Sequence, residues 1–198
     1  MIAVSPLIAA TYLPHWIRKY REAHHDVEVI INVLDSSQIS AELEAGHADI
    51  GLSRLQVSIR NGSCIRLYQE KTKLVCPHDG GDAESSPPLS LEALVSSSVL
   101  LSYNHPEYWE ELLPEFKLIH PSIRTMNVSQ VHVTKRFIEE GIGFSVLPAS
   151  VIQREIAEGR VLELDERSLK LPFASTYLLE KYQKKEAEDF ITILRTLI

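Results

Sequence analysis

An α/β protein of two Rossmann-like lobes is the fold class this sequence predicts, and three observations predict it. Short apolar or β-branched runs alternate with segments of helical periodicity along most of the chain, a rhythm that implies parallel strands and right-handed crossovers. The alternation occurs in two halves, separated by a central stretch of different texture. Finally, Ser129 to Leu164 reads in one pass as helix, Gly-x-Gly turn, buried strand, Pro-opened helix, Gly stop and strand.

Ile2 to Val4 is a short strand, and Pro6 opens a helix carrying Ala9, Tyr12, Leu13, Trp16, Ile17 and Tyr20 at helical spacing. Pro14 falls inside that pattern and predicts a kink or break. Val27 to Leu34 is rich in β-branched residues and reads as the second strand. Ser36 or Ser37 then caps a helix bearing Ile39 and Leu43, Gly46 ends it, and Ala48 to Leu52 is the third strand. After Ser53 the texture changes. Asn61-Gly62 is a turn signal associated with two β-like runs, Cys64 to Tyr68 and Leu74 to Cys76. Asp79 to Pro88 is a polar loop rich in Gly, Pro and Ser.

The second half opens with a short helix at Leu91 to Leu94 and a strand at Val99 to Tyr103. A helix at Trp109 to Phe116 should be interrupted at Pro114, and Ile123 to Val128 leads to the next helix. Ser129 is the expected N-cap there, Val133, Phe137 and Ile138 form its apolar stripe, and Gly141 ends it. Phe144 to Leu147 suits a strand buried on both faces. Pro148 opens a helix with Val151, Ile152 and Ile156, which stops at Gly159. A strand at Thr176 to Leu179 and a helix bearing Ala187, Phe190, Ile191, Leu194 and Ile198 close the chain. The expected crossovers, near Glu70 to Lys73 and Leu162 to Glu166, give a discontinuous first lobe of residues 1–70 plus 163–198 and a second lobe of residues 71–162.

Composition narrows the function classes. The chain has 198 residues, 44 % hydrophobic and 24 % charged, as expected of a soluble globular protein. A formal charge of −7 argues against the chain itself gripping nucleic acid, which needs clustered Lys and Arg. No apolar run approaches the roughly 20 residues that span a bilayer. No basic and apolar leader precedes Ser5-Pro6. Two cysteines, Cys64 and Cys76, are too few for a disulfide framework. These readings place the expected protein in the cytoplasm.

Catalytic and metal signatures are absent from the sequence. There is no His-Glu-x-x-His, Walker loop, Gly-x-Ser-x-Gly elbow or Gly-x-Gly-x-x-Gly, and Gly141-x-Gly143 precedes a strand where a nucleotide motif would open a helix. No cofactor, metal or catalytic residue is implied. Open α/β sheets bind ligands beyond the carboxyl ends of their strands, and two such lobes facing each other would form a hinge cleft. That argument selects Ser5, where anion contact and N-capping both remain open. It also selects Ser36, Ser37 and Gln38 after the second strand, one serine being a candidate cap. Arg54 directly follows the third strand, and its guanidinium suits bidentate carboxylate recognition.

Four places carry a family resemblance: the strand, Ser5-Pro6 and helix to Leu13-Pro14; the passage from Leu34-Asp35-Ser36-Ser37 through Leu43-Glu44-Ala45-Gly46-His47-Ala48-Asp49-Ile50-Gly51; Gly141 to Pro148; and Gly159-Arg160-Val161-Leu162. Their order and spacing resemble the effector-binding domain of LysR-type bacterial transcription regulators, over essentially the whole chain. The resemblance implies a fold like the type II periplasmic binding proteins. It implies that positions matching Ser102, Tyr103, Asn104, Ser129 and Gln130 line an effector cleft, with Arg167 as a weaker second positive contact. The implied ligand is a small anionic metabolite, a carboxylate such as citrate. The implied partners are a homodimer or homotetramer, with helix Ala9 to Tyr20 and strand Val27 to Leu34 in the interface. Operator DNA would be met only through a winged helix-turn-helix, which this sequence does not include. Thr134-Lys135-Arg136-Phe137 resembles the Thr-Arg-Phe stretch of prephenate dehydratases, but the inserted Lys135 departs from it and a solvated basic helix face is the expectation. A transporter's solute-binding protein and a dehydratase-like enzyme are the competing readings.

Overall fold

The computed structural model describes residues 1–81, 89–166, 168–181 and 184–197. Arg167, Ile198 and the greater part of the Asp79 to Pro88 loop lie outside these residues. In chain order the elements are β1 (Ile2–Val4), α1 (Pro6–Thr11), α2 (Leu13–Ala23), β2 (Ile31–Val33), α3 (Ser36–Glu44), β3 (Ile50–Ser53) and β4 (Ser63–Pro77). They continue with α4 (Leu91–Ser97), β5 (Val99–Ser102), α5 (Trp109–Ile119), β6 (Thr125–Asn127), α6 (Val131–Glu139) and β7 (Gly143–Pro148). Last come α7 (Ala149–Ala157), β8 (Val161–Leu164), β9 (Phe173–Glu180) and α8 (Lys185–Leu197).

The chain forms two compact units, Met1–Gln69 with Ser175–Ile198, and Glu70–Ala174. In the first unit the strands run β2, β1, β3, β9, parallel except for β9, which pairs antiparallel with β3. Strand alternation splits the apolar residues between two faces. Ile2, Val4, Ile50, Leu52 and Leu178 pack with Ile8, Leu13, Trp16, Tyr20, Phe190 and Leu194 of α1, α2 and α8. Ala3, Tyr177 and Leu179 face Ile39 and Leu43 of α3.

In the second unit β5 lies parallel to both β6 and β7, and β4 runs antiparallel to β7 and β8. Leu74, Cys76, Leu100, Phe144 and Val146 pack against Leu91, Val95, Trp109, Leu112 and Phe116 of α4 and α5. Each such side chain, fully buried, contributes about 1.5–3 kcal/mol. The Gly-x-Gly joint has two separate physical causes. Gly141 takes φ +76° and ends α6, whereas a Cβ on Gly143 would lie 2.4 Å from the Val99 carbonyl oxygen.

Several expectations need correction. The second strand shrinks from Val27–Leu34 to Ile31–Val33, because among the described residues β1 is its only strand neighbour and its outer edge is open. The break that Pro14 predicted is present and falls at Tyr12, so that only its exact place shifts: Pro14 lies in the opening turn of α2, where its missing N–H costs no bond. Helix α5 runs through Pro114 to Ile119. Pro114 sits on the solvent side with Glu110, whose carbonyl loses its helical partner there. The two β-like runs after Asn61-Gly62 are one strand, β4. The return passage falls on β9, because β8 pairs with β4 inside the second unit.

Two long-range ties were invisible in the local pattern. Glu70 caps α7 from the neighbouring strand β4, its carboxylate accepting the Ser150 N–H at 2.7 Å and hydroxyl at 3.0 Å. Lys135 is no solvated base: its Nζ donates at 2.7 Å to Glu155, which is 4 % exposed, and Arg160 reaches the same oxygen at 3.2 Å. Burial pushes the Glu155 carboxyl up, but the Lys135 hydrogen bond and the nearby positive charges hold it below the usual range. This group of charges ties α6, α7 and the start of β8 together.

Candidate functional site

The carboxyl ends of β1 and β3 and the start of α3 converge within the first unit. Ser5 follows β1, its amide donating to the Leu52 carbonyl at 3.0 Å. It is the N-cap residue of α1 yet makes no capping bond, and its hydroxyl is buried with no hydrogen-bond partner. An unsatisfied buried hydroxyl costs about 1–3 kcal/mol. Helix α1 has only six residues, so its dipole adds little beside this hydroxyl.

Ser36 and Ser37 are not caps. Asp35 is the N-cap residue of α3, and the Ser36 hydroxyl instead accepts the Arg54 backbone N–H at 3.1 Å. Arg54 is 2 % exposed, and its guanidinium donates to the Thr176 hydroxyl on β9 at 2.9 Å. A serine of α3, an arginine just past the end of β3 and a threonine of β9 are thereby fixed together. Ser37 and Gln38 lie exposed on the first turn of α3. Thr176 is completely buried, and nothing in its local sequence marked it.

The second unit carries its own set at the carboxyl ends of β5 and β6. Ser102 is buried, and its carbonyl accepts the Val128 N–H at 2.9 Å. Tyr103 follows at φ +63°, exposed at its side chain. Gln130, not Ser129, is the N-cap residue of α6, and its side chain makes no capping bond. Ser129 is exposed one residue earlier. Asn104 is buried and bonded to Ser145 and Trp109, which sets it apart from the residues open to solvent. Arg167 lies outside the described residues. Among those residues no three His, Cys, Asp or Glu side chains are grouped to hold a metal ion. None of the described helices is long and apolar enough to cross a membrane.

The LysR substrate binding domain profile matches residues 1–198. The chain belongs to the LysR substrate-binding domain family. It is 38 % identical over 193 residues to the HTH-type transcriptional regulator CitR of Bacillus subtilis (strain 168), covering 98 % of this chain and 66 % of that protein. It is 27 % identical to the uncharacterized HTH-type transcriptional regulator YxjO of the same organism, covering 98 % of this chain and 65 % of that one. The chain thus spans just under two thirds of these relatives' length. Among solved structures, the cofactor-binding domain of the Cbl transcriptional regulator aligns with TM-score 0.79 at 19 % identity, covering 100 % of this chain and 87 % of that one. The apo regulatory domain of HypT from Salmonella typhimurium aligns with TM-score 0.77 at 20 % identity, covering 99 % and 93 %. The fold is therefore that of the LysR effector-binding domains, like the type II periplasmic binding proteins.

Proposed function

We propose that this chain is the effector-sensing part of a LysR-type transcription regulator and that it binds a small anionic metabolite, a carboxylate such as citrate. The buried, unbonded Ser5 hydroxyl beside the fixed Ser36–Arg54–Thr176 group is the observation that carries this reading. A guanidinium held in one direction forms charge-assisted, bidentate bonds to a carboxylate. A hydroxyl already withdrawn from water adds a bond at little further desolvation cost. Helix α3, with nine residues, starts at the same edge and favours negative charge.

In such a regulator the effector acts by preferring one arrangement of the protein over another, and the shift is limited by that difference in affinity. The helix-turn-helix in the names of the relatives supports operator DNA as the partner of a regulator of this kind, in the cytoplasm. Self-association fits the open edge of β2, where Ile31 is 44 % and Val33 50 % exposed.

Isothermal titration with citrate, acetate and a neutral polyol tests the assignment. Citrate should bind, the polyol should not, and Arg54→Lys and Ser5→Ala should each weaken citrate about tenfold, as expected for one lost charge-assisted contact. Full binding by both variants would remove this edge from the site. Turnover of the bound acid would replace the sensor with an enzyme.

A further inference from the structure

Tyr103 has a backbone conformation that its side chain does not favour. Its φ of +63° lies in the left-handed region, which Gly and Asn enter readily and a bulky aromatic residue does not. Among the described non-glycine residues only Asn61 shares a positive φ. Such a conformation persists when the surroundings over-determine it, and the bonds on either side of Tyr103 do so.

Upstream, Ser102 is held in β5 by its register with Asn127 and by the Val128 N–H on its carbonyl. Downstream, Asn104 is 4 % exposed and uses both ends of its amide. Its Nδ2 donates to Ser145 Oγ at 2.8 Å, and its Oδ1 accepts the Trp109 indole N–H at 3.0 Å. Ser145 Oγ in turn donates to the Leu101 carbonyl at 2.6 Å. The His105 ring stacks on Tyr108 at 4.3 Å, and the Tyr108 hydroxyl donates to the Val146 carbonyl at 3.0 Å. The chain entering Tyr103 is fixed by the sheet and the chain leaving it by α5 and β7. The mismatch falls on the one residue between them, whose side chain remains 44 % exposed.

We infer that Asn104 is a positioning residue: by tying the end of β5 to Ser145 and Trp109 it forces Tyr103 into the left-handed conformation and so fixes where the Tyr103 ring stands at the strand end. The inference rests on the effector-sensing reading for its purpose, but its geometry can be tested without a ligand.

Tyr103→Gly and Tyr103→Ala both remove the ring, so comparing them isolates the backbone. At a left-handed position glycine is the better residue, and the Gly variant should melt roughly 2–4 °C above the Ala variant. Adding Asn104→Ser should abolish that gap. Ser145→Ala, a milder change should Asn104→Ser not fold, should narrow it. In a Trp16→Phe background, the emission of Trp109 should shift when its Asn104 acceptor is lost. An Ala variant as stable as the Gly variant, or a gap that survives both changes, overturns the inference.

If the unaltered chain binds no carboxylate, the proposed function fails, while the glycine–alanine gap alone still decides the role of Asn104.

Discussion

Two glycines separated by one residue should respond very differently to the same added methyl group. A Cβ on Gly143 would sit 2.4 Å from the Val99 carbonyl oxygen and 3.0 and 3.1 Å from Leu101 side-chain atoms. A relaxed carbon–oxygen contact is about 3.3 Å, so β5 and β7 would have to part by roughly 0.9 Å. That stretches the pairs Val99–Gly143 and Leu100–Phe144 at the centre of the second unit's sheet. Overpacking costs about 1–3 kcal/mol and each weakened ladder bond about 0.5–1.5 kcal/mol. The stiffer unfolded chain returns about 0.4–1 kcal/mol. Gly143→Ala should therefore destabilise by about 3 kcal/mol and lower the melting temperature by roughly 6–12 °C. A Cβ on Gly141 would meet nothing within 4 Å, so Gly141→Ala carries only the penalty of φ +76°, about 1 kcal/mol and roughly 2–4 °C. Thermal denaturation followed by circular dichroism measures both. Equal losses, or a larger loss at Gly141, would refute the argument from close strand approach.

Glu155→Gln should cost about 1–3 kcal/mol at pH 7, because two charge-assisted hydrogen bonds are weakened. The folded carboxyl titrates below its usual range, so this contribution is present at neutral pH and lost as the pH falls through that lowered value; melts at pH 7 and pH 3 should show the difference shrinking. Burial pushes the Cys76 thiol up to about 11, so a thiol reagent at pH 8 should label half-buried Cys64 in the native protein and spare Cys76 until unfolding. On the open β2 edge, Ile31→Lys should change the stability of the single chain by less than about 0.5 kcal/mol and lower any association seen by sedimentation equilibrium.

The order of strands and helices was legible because it rests on local signals: apolar periodicity, prolines in opening turns, and glycines such as Gly46, Gly141 and Gly159 after helices. Element boundaries were less so wherever a distant group decides them. Asp35 displaced Ser36 as the N-cap residue of α3 because the Ser36 hydroxyl is engaged by the backbone of Arg54, 18 residues away. Pro114 looked like an interruption because its sequence neighbours do not reveal that it sits on the solvent side of α5. Arg54 and Ser5 could be chosen from their place after strands. Thr176, Ser145 and Glu70 could not, since each acquires its role from a partner 41 to 122 residues away.

The discontinuity of the first unit orders events during synthesis. Glu70 to Ala174 is one unbroken run and can close as soon as it has left the ribosome. The first unit, although begun earlier, must wait for β9 and α8. Until they arrive, β3 has no neighbour on one side and Leu52 lacks the cover of Leu178, Phe190 and Leu194. A nascent chain stalled or cut before Ser175 would therefore carry a finished second unit and a sticky, unsealed first one, the form that chaperones and proteases would meet.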